Sequence, residues 1–340
     1  MKKADITKTI IELTVDKVLA DMATESERPI RNLVDLGKSF SKGQFQKKFF
    51  EMAQNILENE ESPYYVYVKN SVDKVNHETL KTFGINLGYN AYTYGVNQIR
   101  ENEKKYCFII PWTLIFSMEN PSKVSENDVE MMISQGVKLG IYTYFIFCTT
   151  NQIKQVAHLL EAFEDCVFVI FLEGASIKTG ELEVLYTYHN FMISIASESR
   201  ACIKIMAFLR KRGFLYAMHA FYNDCKAEEI ITGKWLKSPL RTATTFAFLI
   251  SESTCSLKTK NEVRNYVING REKQHYPLFL IDITSDISYI NEVISEDSHF
   301  IGFNSEGQLY TAAGVIAGKN NNLRTGTLQE ILKQNRSIKE

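Results

Sequence analysis

The segment from Ile110 to Phe147 constrains this chain more than any other. Ile110–Phe116 (IPWTLIF) is an apolar run of strand length, Ser125–Gly140 has helical periodicity and ends on glycine, and Tyr142–Phe147 (YTYFIF) is a second apolar run. Two short apolar runs joined by a helix of this length cannot form a hairpin. They form a right-handed βαβ crossover, the opening unit of a parallel sheet.

The rhythm continues. Further strands are predicted at Cys166–Leu172, Phe191–Ala196, Leu215–Phe221, Thr244–Ile250 and Tyr276–Ile283. Helical segments are expected at Ile153–Phe163, Glu181–Tyr188, Ala201–Lys211, Glu228–Leu236 and Lys258–Gln274. The strands are nearly continuous apolar runs, as strands covered on both faces must be. This predicts an α/β fold, a TIM-like partial (β/α)6 barrel over residues 106–285.

Residues 1–105 read as a helical N-terminal extension, with helices at 5–22 (capped by Asp5), Pro29–Phe40 and Gln44–Glu58. Pro63–Val68 has strand composition but is assigned to helix, because it continues into the periodic segment His77–Phe83. Residues 286–340 form a C-terminal extension with a short β-hairpin across Asn304–Gly307 and a closing helix at Thr327–Gln334.

Composition excludes several classes. With 39 basic against 40 acidic residues, nothing marks a dedicated nucleic-acid binder, and NQIRENEKK reads as a solvated helix face. No apolar run reaches the roughly 20 residues that span a bilayer, so no membrane contact and a cytoplasmic location are expected. The cysteines at 107, 148, 166, 202, 225 and 255 have neither CxxC nor other metal-ligand spacing.

The run GYNAYTYGVNQIRENEKKYCFIIPWTLIF, followed by ISQGVKLGIYTYFIF, resembles the first βαβ unit of bacterial radical SAM proteins with a SPASM-type C-terminal extension. HFIGFNSEGQLYTAAGVIAGKNNNLRTGTLQEIL resembles that extension, with Asn322–Glu330 at the place of an "N-I-R-x-x-S-L-x-E" phrase. The resemblance implies the barrel, a four-iron cluster and S-adenosylmethionine as cofactors, and a peptide substrate or partner.

The departures from that family carry the functional expectation. Its cluster loop is CxxxCxxC; here the first strand leads into Ser117-Met118-Glu119-Asn120-Pro121-Ser122. Its glycine-rich turn after the second strand is here Cys148-Thr149-Thr150-Asn151, and the Asn-Gly turn after the third is Glu173-Gly174. Its serine-containing segment after the fourth becomes Ala196-Ser197-Glu198-Ser199, and Phe300, Tyr310, Thr311 and Ala312 stand where the auxiliary cysteines are expected. Since radical initiation belongs to the cofactor, the expectation is a pseudoenzyme with no cofactor, no metal and no catalytic residue. It would keep the scaffold to bind a peptide, a protein such as an intact radical SAM relative, or a small ligand.

The alternative is a barrel enzyme with non-radical acid–base chemistry at the strand C-terminal ends. The residues placed there are Cys148, Thr149, Glu173, Glu198, Asp224, Glu252 and Asp282, the candidate ligand-binding set, with Glu173 the one to watch. Against each stands a plainer role. Strand-end acids commonly cap the next helix, Cys148 reads as a small buried hydrophobe and His219 as a satisfied core histidine, and His189 and His275 lie at helix ends. A third possibility is an interaction module on the Phe45, Phe49, Phe50 face, visible as an exposed apolar patch.

Overall fold

A computed structural model describes residues 3–22, 27–40, 47, 50, 51, 54, 55, 57–119, 122–173, 177–199, 201–297, 300–316, 318 and 320–335. The fold is mixed α/β, and the chain divides into two compact units, Met1–Ile85 with Met192–Ile283 and Asn86–Phe191 with Thr284–Glu340. Among the described residues no helix is long and apolar enough to cross a membrane.

The second unit carries the opening βαβ. Strands β1 (Thr113–Ser117), β2 (Thr143–Cys148) and β3 (Val167–Leu172) are parallel, with Ile115 opposite Phe145 and Phe145 opposite Val169. All six residues of β2 and all six of β3 are buried, which is why both read as unbroken apolar runs. The crossover helix Glu126–Leu139 starts at a reciprocal capping box between Ser125 and Asp128 and stops at Gly140, whose φ of 104° suits glycine. Gly140 lies against Gly95, where an added Cβ would come within 2.5 Å of the Gly140 carbonyl oxygen. The two glycines let the helix Val96–Tyr106 approach the end of its neighbour Glu126–Leu139.

The segment leading into β1 is two elements, a π-helical stretch Asn86–Gly95 and then the helix Val96–Tyr106, which carries the NQIRENEKK run. Asn86 and Asn90 hold the wider turns in place: Asn86 Nδ2 donates to the carbonyls of Glu164 (2.6 Å) and Cys166 (3.1 Å), and Asn90 Nδ2 to Asn86 Oδ1 (2.9 Å) and the Asp165 carbonyl (2.9 Å). The expected helix Glu181–Tyr188 is 3-10, Thr179–Thr187.

Directly after the strand that ends at Asp282 the chain forms a helix, Ile283–Ser295, in a stretch for which no element is expected from the sequence. Its Asn291 Oδ1 accepts from the Trp112 N–H at 2.6 Å, fixing the start of β1. Then β8 (Gly302–Phe303) runs parallel to β1 on the side away from β2, and β9 (Leu309–Thr311) and β10 (Gly314–Val315) follow antiparallel, giving the order β10–β9–β8–β1–β2–β3 in this unit. The helix Leu328–Gln334 begins at a Thr327–Glu330 capping box.

The first unit holds four parallel strands, β4 (Phe191–Ala196), β5 (Tyr216–Tyr222), β6 (Phe246–Ser251) and β7 (Phe279–Asp282), in that order. Leu257–Glu272 packs Val263 and Val267 onto Leu249, Leu278 and Leu280. The segment expected as one helix, Glu228–Leu236, is a short helix Ala227–Ile231 and a 3-10 turn Lys234–Leu236, parted by Gly233 at φ 70°. Among the N-terminal helices, Lys3–Met22 starts earlier than expected, with Asp5 inside its first turn. Pro63–Lys74 is helical as assigned, with Ser62 Oγ accepting from the Tyr64 N–H. Val18, Leu19, Met22, Leu57, Tyr65 and Val72 form the core of this bundle. Phe45 and Phe49 lie outside the described residues, and Phe50 is half-buried.

Candidate functional site

In the second unit β2 lies between β1 and β3, so the residues that leave these three strands at their C-terminal ends are neighbours. They are Ser117 and Glu119 from β1, Cys148 from β2 and Glu173 from β3. The Glu173 N–H donates to the Cys148 carbonyl at 2.8 Å, and the Met118 N–H to the Phe147 carbonyl at 2.8 Å, so the backbone ladder extends past the strand ends. Ser117 Oγ donates to Glu119 Oε2 at 3.4 Å.

A fifth group comes from the C-terminal segment. The Tyr310 ring lies directly over Gly302, where an added Cβ would sit 2.3 Å from it, and packs on Phe300 at 5.8 Å between centroids. The turn preceding β9 is tied to the segment after β1: the Lys123 N–H donates to the Ser305 carbonyl at 2.7 Å, and Lys123 Nζ pairs with Glu306.

Burial, the negative charge of Glu173 and, in opposition, the Ser117 hydroxyl act on Glu119, and its carboxyl is pushed above the usual carboxylate range. Cys148 is fully buried; burial first, then Glu119 and Glu173, push its thiol far up, so it stays protonated. Burial and then Glu119 push the Tyr310 hydroxyl up. A half-buried carboxyl raised by burial and by a neighbouring glutamate is an arrangement from which acid–base pairs are made.

Thr149 has a local task. Its N–H and Oγ1 donate to Gln152 Oε1 at 2.9 and 2.6 Å, capping the turn that opens the helix Ile153–Ala162. Gly174, Asn120 and Pro121 lie outside the described residues.

The remaining predicted acids belong to the first unit, and each has a partner there. Glu198 pairs with Lys226. Asn223 Nδ2 donates to Glu252 Oε2 at 2.8 Å. Asp224 Oδ1 accepts from the Ser256 N–H (3.1 Å) and Oγ (2.7 Å) at the start of Leu257–Glu272, and hydrogen bonds from Thr259 and Ser256 hold its carboxyl low. Asp282 is buried and accepts from the Tyr222 hydroxyl at 2.6 Å. His219, fully buried, meets Ser194 Oγ through Nδ1 at 2.9 Å.

Sequence reasoning thus selected Cys148 and Glu173 but passed over Glu119 and Tyr310. Glu119 lay in the segment noted only for its missing cysteines. Tyr310 was counted only as a non-cysteine. Among the described residues no group of three or more His, Cys, Asp or Glu side chains is placed to hold a metal ion, and all six cysteines are free.

No protein-family model matches the sequence, and no curated protein matches it. Among solved structures the chain is similar to Streptococcus suis SuiB, at 14% identity over 63% of each chain with a TM-score of 0.45. It is also similar to the same protein bound to precursor peptide SuiA, at 14% identity over 63% of this chain and 62% of that one with a TM-score of 0.46. A third similar structure is anSMEcpe with bound AdoMet and Cp18Cys peptide, at 10% identity over 66% of this chain and 80% of that one with a TM-score of 0.42. The matched region spans 63% of the length of the SuiB chain.

Proposed function

We propose that this chain is a radical SAM-like protein without the radical chemistry, a partial (β/α)6 barrel at residues 106–285 that binds a peptide at its strand ends. A helical segment (residues 1–105) precedes the barrel and a SPASM-like segment (286–340) follows it, with the cytoplasm as the expected location.

One observation carries the reading. The three adjacent strand ends of β1, β2 and β3 offer a single thiol, that of Cys148, which is fully buried and pushed up by burial first and then by Glu119 and Glu173, so that it stays protonated. A four-iron cluster needs several thiolates converging on one point. The donors that follow β1 are instead a hydroxyl, a thioether and a carboxylate, from Ser117, Met118 and Glu119, and this set does not fit the cluster. Peptide is the ligand class implied by the sequence resemblance.

Anaerobic reconstitution with iron and sulfide tests this. The expected result is no stoichiometric cluster and no cleavage of added S-adenosylmethionine; a cluster that cleaves it overturns the reading.

Acid–base chemistry on a bound ligand is the second reading, and the raised carboxyl of Glu119 beside Glu173 favours it. In that case Glu119 would give up a proton and Glu173 would receive one. The pH dependence of any turnover would then change in Glu119→Gln.

A further inference from the structure

Gly233 parts the short helix Ala227–Ile231 from the 3-10 turn Lys234–Leu236, and two phenol oxygens face the space beside its backbone. A Cβ built on it would lie 3.3 Å from Tyr276 Oη and 3.6 Å from Tyr266 Oη, and among the described residues these are its only neighbours within 4 Å beyond the adjoining ones. Tyr266 comes from the middle of the helix Leu257–Glu272, and Tyr276 from the segment that enters β7.

A third polar group belongs to the same place. Trp235 is 7% exposed, and Tyr266 and Tyr276 pack against the core that contains it. Trp235 Nε1 and Tyr266 Oη are both shielded from solvent, and among the described residues neither meets a protein atom in hydrogen-bond geometry. They are close nonetheless: after burial, the Tyr276 hydroxyl and the Trp235 indole are the polar groups that act on the Tyr266 phenol, and the net effect keeps it protonated. An indole N–H left unpaired in an apolar core is costly, and where no protein atom reaches such a group an ordered water ordinarily does.

We propose that the space over Gly233 binds a single water molecule, held by Trp235 Nε1–H, the Tyr266 hydroxyl and the Tyr276 hydroxyl. The groups select this ligand. The indole can only donate, so the occupant must accept, whereas each phenol can donate or accept. A water accepts from the indole and one phenol and donates to the other, within the range of about two to four partners that a buried water takes. A cation would face the indole N–H, and a halide could only accept. Bound there, the water joins the turn Lys234–Leu236, the helix Leu257–Glu272 and the entry to β7. Gly233 then has a second task besides its φ of 70°, because a side chain would crowd the water.

Crystals of the full chain grown in chloride and in bromide test this. Both should show one density peak about 2.7–3.2 Å from Trp235 Nε1 and from both phenol oxygens, without anomalous signal in bromide. Ultraviolet resonance Raman on Trp112→Phe, which leaves Trp235 as the single tryptophan, gives the answer in solution. The indole band should stand at its hydrogen-bonded position. It should stay there when Tyr266→Phe is added, because the water keeps the indole and Tyr276. With Tyr276→Phe added as well, and an unchanged circular dichroism spectrum, the band should shift to the free-indole position. A direct bond between Trp235 and Tyr266 with no such peak, an anomalous bromide peak in its place, or a band that shifts with Tyr266→Phe alone overturns the proposal.

Discussion

The Tyr222 hydroxyl donates to Asp282 Oδ2 at 2.6 Å, joining the ends of β5 and β7 across the intervening β6. Both residues are almost fully buried, and burial with the neighbouring carboxylate keeps the phenol protonated. Tyr222→Phe removes a charge-assisted hydrogen bond from a buried carboxylate. The expected loss is about 1–3 kcal/mol in urea denaturation, and Tyr222→Phe combined with Asp282→Asn should lose less than the sum of the single changes.

Glu119→Gln should stabilise the fold at neutral pH. The carboxyl of Glu119 is raised in the folded state, so its favourable contribution is full below the unfolded value and is lost as pH rises through the folded one. Glutamine does not lose it. Urea midpoints of the two proteins should coincide near pH 4 and separate, with the variant higher, towards roughly pH 8. A variant that is less stable across that range would contradict the electrostatics described for the cluster.

Thiol titration should distinguish two cysteines from four. Cys107 and Cys225 are exposed, whereas Cys148, Cys166, Cys202 and Cys255 are buried. A disulfide reagent at neutral pH is expected to modify two thiols promptly and the others only after denaturant is added. Prompt loss of Cys148, read by mass spectrometry of the modified peptide, would mean that its burial is not maintained.

Gly95→Ala should destabilise by about 1–3 kcal/mol or more, since its Cβ would meet the Gly140 carbonyl at 2.5 Å and both partners are backbone. Gly140→Ala adds a left-handed φ of 104° to a similar clash, with the Gly95 carbonyl oxygen at 2.6 Å, and should cost at least as much. Thermal melts of the two variants measure this.

The parallel strands were legible because full burial removes alternation. VFVIFL at β3 has no polar position to confuse with anything else. The helix Ile283–Ser295 was not read, although Ile283, Ile287, Asn291 and Ile294 fall on one buried face. It follows β7 without a turn, so no glycine, proline or loop marks where the period changes from two to 3.6. The π-helical stretch Asn86–Gly95 was hidden for a different reason: its geometry depends on Asn86 and Asn90 finding carbonyls near residue 165, far along the chain. The site follows the same logic. Glu119, Cys148 and Glu173 are brought together by the order β1–β2–β3, and Tyr310 by the pairing of β8 beside β1. The acids of the first unit were legible as strand-end residues, but only their partners, Lys226, Asn223, Ser256 and Tyr222, show what they are used for.

The placement of β8 against β1 has a consequence for how the chain is made. Ile115 and Phe116 emerge from the ribosome long before Gly302 and Phe303, their partners on that edge. Until then the nascent chain carries a strand with an apolar centre, Leu114–Phe116, and one open edge, a template for pairing with another chain. Closing it demands one of the longest-range contacts in the molecule, a step that is slow by topology. Emergence of Gly302 and Phe303, more than any local event, should be what protects this edge from aggregation.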